Sequence, residues 1–185
     1  ALLVEASRAG LRCVGLDLNA AVVDGLNNGR SHVDDVSDET VAEMLAGGFV
    51  ATTDSDCLAT TDAAVICVPT PLKDDQTPDL SAVSGAATDI ASRLRAGMLV
   101  VLESTTYPGT TSELLGPILE SASGLERSEF MLGYSPERID PGNTTHTFVN
   151  TPKVTSGVDE ASLAAVDGFF ASLVDRTVPV GSPAE

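Results

Sequence analysis

The stretch Leu99–Thr111, LVVLESTTYPGTT, sets the strictest limit on what this chain can fold into. Met98-Leu99-Val100-Val101-Leu102 is an unbroken apolar run, the pattern of a strand covered on both faces rather than one. It stops at Glu103-Ser104-Thr105-Thr106, and Pro108-Gly109 then turns the chain. Thr110-Thr111-Ser112-Glu113 reads as a helix start of the capping-box kind. Strand, polar turn and helix start in that order belong to an open α/β sheet, whose ligands sit beyond the carboxyl ends of the strands. Two further stretches end the same way. Ala64-Val65-Ile66-Cys67-Val68 runs into Pro69-Thr70-Pro71, and Phe130-Met131-Leu132-Gly133-Tyr134 runs into Ser135-Pro136-Glu137-Arg138. Three parallel strands are expected to deliver three polar loops to one crevice.

The rest of the chain alternates in the same manner. Residues up to Gly10 read as the end of a helix with that glycine just past it. Helices are expected over Ala20–Asn28, over Ser37–Ala46 with Ser37 as N-cap, and over a short Asp54–Thr60. Apolar residues at 80, 83, 86, 87, 90, 91 and 94 follow the helical period and predict a helix over Leu80–Leu94. Thr111–Ala122 and Asp159–Leu173 complete the helices. Strands are expected at Leu11–Leu16, Phe49–Thr52, Ala63–Val68, Lys153–Ser156 and Val178–Val180, besides the organising strand and Phe130–Tyr134. This alternation with short connections predicts a doubly wound parallel sheet. With 43% apolar residues, 4% aromatic ones and no Trp, the core between the layers must be aliphatic.

Charge and cysteines narrow the function classes. A formal net charge of −17 argues against nucleic acid or an anionic membrane as partner, since both call for basic patches. No apolar run approaches the roughly 18 residues of a membrane span. The apolar N-terminus has no basic n-region and does not read as a signal peptide. Cys13, Cys57 and Cys67 form no CxxC or Cys/His pattern, and this odd, unframed set points to the cytoplasm. Cys13 and Cys67 fall inside strand-like runs, as small buried hydrophobes do. No metal site is expected, because His32 and His146 have no ligand-like spacing.

A few strand-end residues are placed for chemistry. Asp17 ends a strand where a dinucleotide-binding fold hydrogen-bonds the adenosine ribose, and a carboxylate there favours NAD over NADP. It reads equally as an ordinary polar strand end. Thr70 and Thr105 offer hydroxyls that suit a phosphate, a ribose or a water, or plain turn chemistry. Glu137 is a candidate general base toward water, or half of a surface pair with Arg138. The fingerprint G-x-G-x-x-G is absent from these residues, and Gly10 and Gly15 lack its spacing.

Together, five segments carry a resemblance. They are Gly15-Leu16-Asp17, Leu26-Asn27-Asn28-Gly29, Val68-Pro69-Thr70-Pro71-Leu72, Glu103–Thr111, and Ser135-Pro136-Glu137-Arg138-Ile139-Asp140-Pro141-Gly142-Asn143. In order and spacing the chain resembles the NAD-binding domain of the UDP-glucose/GDP-mannose dehydrogenase family, nearly end to end. The ESTTYPGTT and SPER-x-DPGN forms are most similar to the branch acting on UDP-N-acetylhexosamines, UDP-N-acetylglucosamine above all. The resemblance implies a Rossmann-type sheet whose first strand and Gly-rich loop lie before residue 1. Strands Leu11–Leu16 and Ala63–Val68 would then face a gap. Residues 1–181 would be the NAD-binding domain, and 182–185 the start of a connecting helix to a further domain.

The resemblance also implies oxidation of the C6 hydroxyl of a UDP-sugar to a carboxylate with two NAD. A Cys outside these residues would hold the intermediate as a thiohemiacetal and then a thioester, and none of the three cysteines here matches it. A cytoplasmic homo-oligomer is implied for the full-length protein. Carried over by motif, Asp17 would bind the adenosine ribose. Pro69, Thr70 and Thr105 would line the NAD and water site, with Thr105 and Glu137 serving the reaction. The family often has Lys or Arg five residues after the ribose carboxylate; here Val22 stands there. The alternatives are a UDP-glucose or UDP-N-acetylmannosamine enzyme, a β-hydroxyacid dehydrogenase relative, or a non-catalytic NAD-binding domain.

Overall fold

The structure, a computed structural model, describes residues 1–138 and 145–184. Seven strands alternate with six α-helices: β1 Val14–Leu16, β2 Val50–Thr52, β3 Ala63–Ile66, β4 Leu99–Leu102, β5 Met131–Tyr134, β6 Lys153–Gly157 and β7 Thr177–Pro179; α1 Leu2–Arg8, α2 Ala20–Asn27, α3 Asp38–Ala46, α4 Ser81–Ala91, α5 Gly116–Ser123 and α6 Glu160–Ala171. These counts concern the described residues.

The strands form two sheets. β1 pairs with β2 in parallel, and β3-β4-β5-β6-β7 form the larger sheet in that order. Among the described residues no ladder joins β1 to β3. In the large sheet β3, β4 and β5 are parallel, with Ala63 beside Leu99 and Leu99 beside Met131. The mainly parallel α/β arrangement is as expected, with one departure: β6 runs antiparallel to β5. A parallel neighbour needs a crossover that carries the chain back along the sheet. Here the chain leaves β5 at its carboxyl end and re-enters β6 from that same end.

β4 is the axis. All four of its residues are at most 5% exposed, as the unbroken apolar run required. Leu99 and Val101 face one core with α1, α3 and α6, through Val4, Met44, Val166 and Phe170. Val100 and Leu102 face the other with α4, α5 and the turn before α5, through Val83, Ala87, Leu119 and Leu115. The strand thus has helices on both faces.

Most local signals hold. Ser37 caps α3 by accepting from Thr40 N, Asp54 caps a short 3₁₀ turn, and Asp159 caps α6 through Ser162 N at 2.7 Å. α4 stops at Ala91, short of the expected Leu94, because Arg93 N and Leu94 N bond three residues back, to Ile90 O and Ala91 O, and tighten the last turn. The capping box expected at Thr110–Glu113 is not what forms. A π-helical turn over Thr110–Leu115 follows Gly109, whose φ of +98° starts it with no side-chain cap. The Thr110 hydroxyl turns back to Tyr107 O and Thr106 Oγ1 instead. Ser182 Oγ accepts from Ala184 N in a terminal turn, and Glu185 lies outside the described residues.

Candidate functional site

Three loops converge at the carboxyl end of the β3-β4-β5 triplet. Hydrogen bonds between strand ends fix them to one another. Glu103 N donates to Ile66 O at 2.9 Å, and Ser104 Oγ donates to Val68 O at 2.7 Å, so the loops after β3 and β4 are bound together. Ser135 N donates to Leu102 O at 3.0 Å and Ser135 Oγ to Val154 O at 2.7 Å, which binds the loop after β5 to β4 and to β6. Ser104 and Ser135 are buried, so these bonds also satisfy donors that would otherwise be stranded.

Thr70 and Thr105 are brought into contact: Thr70 Oγ1 donates to Thr105 O at 2.7 Å. Pro69 sits beside them at an exposed bend, where its missing N–H costs no ladder bond. The loop beyond is more ordered than its prolines suggested. Leu72 bridges Pro78, Lys73 N donates to Thr77 O at 2.8 Å, and Asp79 N donates to Pro71 O at 2.7 Å. Gln76 supplies the tight turn with a φ of 65°.

Glu137 stands at the mouth with its side chain 37% exposed. Its Oε1 accepts the Arg138 backbone N–H at 2.6 Å, and its Oε2 lies 3.9 Å from Lys153 Nζ. Beneath it is a buried cluster that the sequence did not reveal. Lys153 Nζ lies 2.5 Å from Glu103 Oε1, with both side chains 4% exposed. The second Glu103 oxygen, Oε2, accepts from Cys67 Sγ at 3.0 Å. The ammonium also rests over the rings of Phe170 and Phe148, at 5.0 and 5.3 Å from their centroids. Cys67 is therefore not the buried strand residue expected; β3 ends before it and the residue is exposed. Enclosure of its sulfur and the adjacent Glu103 carboxylate both push the thiol up, so it is a poor source of thiolate.

Asp17 lies apart from these loops, on the two-stranded sheet, one residue past β1. Its N–H donates to Thr52 O at 3.1 Å, continuing the ladder, while Oδ1 accepts from Asn19 N at 2.8 Å. Asn19 in turn caps α2 through Ala21 N at 3.0 Å. The carboxylate is thus oriented by its own turn at a strand end, in the position that suits a ribose diol. A half-buried acid at that place and neutral hydroxyls at Thr70 and Thr105 fit NAD. Ile139-Asp140-Pro141-Gly142-Asn143, the rest of the SPER-x-DPGN segment, lie outside the described residues. Among the described residues no group of three or more His, Cys, Asp or Glu is placed to hold a metal ion, and no helix is long and apolar enough to cross a membrane.

Neither member of this pair announces its role in the sequence: Glu103 lies within the ESTTYPGTT segment, and Lys153 opens a short strand expected to run parallel to its neighbours. What would have found Lys153 is the oddity of a lysine opening an otherwise small, uncharged strand.

Comparison with known proteins agrees with this geometry. UDP-N-acetyl-D-glucosamine 6-dehydrogenase of Pseudomonas aeruginosa is 34% identical over 163 residues, 87% of this chain and 38% of that protein. UDP-N-acetyl-D-mannosamine dehydrogenase of Salmonella typhi is 32% identical over 165 residues, 85% of this chain and 39% of its own length. Among solved structures, the UDP-D-ManNAc dehydrogenase of Pyrococcus horikoshii superposes with a TM-score of 0.91 at 30% identity, covering 98% of this chain and 44% of that one. The chain thus spans about two-fifths of the length of the curated relatives it matches. The model of the UDP-glucose/GDP-mannose dehydrogenase family's NAD binding domain matches residues 2–174, and the chain belongs to that family as its NAD-binding domain.

Proposed function

We propose that this chain is the NAD-binding part of a UDP-sugar 6-dehydrogenase that oxidises the C6 hydroxyl of UDP-N-acetylglucosamine to a carboxylate. The observation that carries the reading is the arrangement of the strand ends: Thr70 after β3 bonds to Thr105 after β4, and Glu137 after β5 lies 3.9 Å from Lys153, within a domain of this family. The choice of sugar rests on the ESTTYPGTT and SPER-x-DPGN forms and on relatives named for UDP-N-acetyl-D-glucosamine at 34% and 35% identity, beside 32% and 33% for the mannosamine enzymes. UDP-glucose and UDP-N-acetylmannosamine are the competing substrates.

When bound, NAD supplies the hydride acceptor for each of the two oxidations. In our reading Asp17 accepts the adenosine ribose hydroxyls and its charge repels a 2′-phosphate. Thr70 and Thr105 present hydroxyls beside Pro69 to the cofactor and to water. Glu137, half in solvent at the crevice mouth, takes the proton of the water that hydrolyses the covalent thioester intermediate. The nucleophilic Cys comes from a domain beyond residue 181, reached through the turn at 182–184. A further strand with a Gly-rich turn, as the resemblance implies, would pair between β1 and β3, which no ladder joins among the described residues. The partners are the UDP-sugar and further copies of the protein, and the compartment is the cytoplasm, where free thiols such as Cys13 and Cys57 persist.

The test is turnover of the whole protein against a panel of UDP-sugars with NAD. The expected result is two NADH for each uronate formed, fastest with UDP-N-acetylglucosamine. In the same assay Glu137→Gln slows kcat far more than it raises KM, and intact mass shows a sugar adduct accumulating. One NADH per product, or a Glu137→Gln variant with full kcat, contradicts these assignments.

A further inference from the structure

The antiparallel direction of β6 has a consequence at the site. In the β5–β6 ladder Gly133 faces Gly157 and Tyr134 faces Ser156. Continued in the same register, Ser135 falls opposite Thr155, Pro136 opposite Val154, and Glu137 opposite Lys153. Side-chain bonds keep that register beyond the strand: Ser156 Oγ donates to Tyr134 O at 2.9 Å, and Ser135 Oγ to Val154 O at 2.7 Å. A parallel β6 would carry Lys153 to the opposite end of the sheet. Because β6 is antiparallel, its first residue arrives beside the crevice.

What Lys153 does there follows from its surroundings. Its ammonium is 3% exposed at residue level and has one strong anchor, Glu103 Oε1. Glu103 has no oxygen to spare for a ligand, since Cys67 Sγ occupies Oε2. Phe148 and Phe170 close the ammonium in on their ring faces. The cluster therefore holds one positive charge between a buried carboxylate and Glu137 Oε2, 3.9 Å away. Arg138 follows Glu137 in the chain and contributes its backbone N–H to Oε1.

We propose that Lys153 is a positioning residue for Glu137: anchored by Glu103 and walled by two aromatic rings, its ammonium holds the Glu137 carboxylate in place at the crevice. This rests on the reading of Glu137 as the group that activates water. Lys153 acts through Glu137, its buried ammonium facing Glu137 Oε2 at 3.9 Å and setting where that carboxylate oxygen lies. Its contribution belongs to kcat and not to substrate binding.

The test is a double-mutant cycle on Lys153→Met and Glu137→Gln in the whole dehydrogenase. Each Lys153 change is paired with Glu103→Gln, so that no buried carboxylate is orphaned when the ammonium goes, and the unsubstituted protein, in which Glu103 still anchors Lys153, is the background. Circular dichroism checks the fold of each, and Lys153→Gln is made alongside in case the methionine variant does not fold. The expected result is a kcat lowered about 10- to 100-fold by Lys153→Met, the scale of a misplaced catalytic group. KM for the UDP-sugar and for NAD stays within about twofold of the background. With Glu137→Gln already present, Lys153→Met adds no further loss. A folded Lys153 variant with the background kcat, or a loss that multiplies with that of Glu137→Gln, overturns the positioning role and leaves the Glu137 reading standing. Full kcat in Glu137→Gln overturns the Glu137 reading, and this inference with it.

Discussion

Replacing Gly157 by Ala should loosen the β5–β6–α6 unit. An alanine Cβ at 157 would lie 2.0 Å from Leu163 N, 2.6 Å from Leu163 Cα and 2.6 Å from Ser162 C. All three are atoms of the first turns of α6, so no side-chain rotation relieves the clash. Ordinary contact between such atoms is about 3.5 Å or more, so the helix start would have to retreat by about 1.5 Å. It is held in place by Asp159, which accepts from Ser162 N, and by Ser162 Oγ, which accepts from Leu132 N at 3.0 Å. Retreat also uncovers Val166 and Phe170, both 0% exposed. Overpacking costs about 1–3 kcal/mol, and the strained Ser162–Leu132 bond about 0.5–1.5 kcal/mol more. A loss of about 3 kcal/mol corresponds to roughly 100-fold faster exchange of the protected amides of β5, β6 and α6. Hydrogen exchange by mass spectrometry on the whole protein reads this region by itself. Gly168→Ala is the control, since nothing lies within 4 Å of its Cβ and it sits inside α6. It should be neutral or stabilising by up to about 1 kcal/mol. Equal protection in Gly157→Ala and the unsubstituted protein, or equal losses in the two alanine variants, would refute the packing argument.

Two further outcomes follow from the electrostatics. Burial raises the Asp159 carboxyl, but the Ser162 N–H and hydroxyl and the Arg127 guanidinium outweigh it, and the net shift is downward. A carboxylate lowered on folding adds stability above its unfolded value of about 3.9, and loses it as pH falls through the lower native value. Asp159→Asn should therefore flatten the decline of stability below about pH 4 in acid titrations followed by circular dichroism; an unchanged acid limb would contradict it. Cys67, although exposed, should react with iodoacetamide at pH 8 more slowly than a free thiol, and Glu103→Gln should speed it, as peptide mapping would show. Rapid alkylation in the unsubstituted protein would mean that the thiol is not held as the geometry indicates.

How much was legible in the sequence depended on the range of the interaction concerned. β4 was readable because burial on both faces leaves an unbroken apolar run, and Ser37 was readable because a cap bonds within three residues. The meeting of Thr70 with Thr105 was implied by two strand ends sharing one sheet. The direction of β6 was not legible, since strand composition says nothing of which way a strand runs. With it went Lys153, whose partner Glu103 is 50 residues away in sequence. The start of the helix after β4 misled for a different reason. Thr110 and Glu113 have capping-box identities, but the positive φ of Gly109 directs the chain into a π-helical turn, and the Thr110 hydroxyl is taken up by Tyr107 and Thr106.

The central claim is that the carboxylate beyond β1 and the hydroxyls beyond β3 and β4 form an NAD site. Calorimetric titration of the whole protein with NAD and with NADP, for the unsubstituted form, Asp17→Ala and Asp17→Asn, tests it directly. Asp17→Asn keeps an acceptor for Asn19 N, so it separates the charge from the turn. The account predicts tighter binding of NAD than NADP, a loss for NAD of about 1–3 kcal/mol in Asp17→Ala, and a narrowed gap between the two cofactors in Asp17→Asn. Equal affinity for NAD and NADP in the unsubstituted protein, or NAD binding untouched by either substitution, would contradict it.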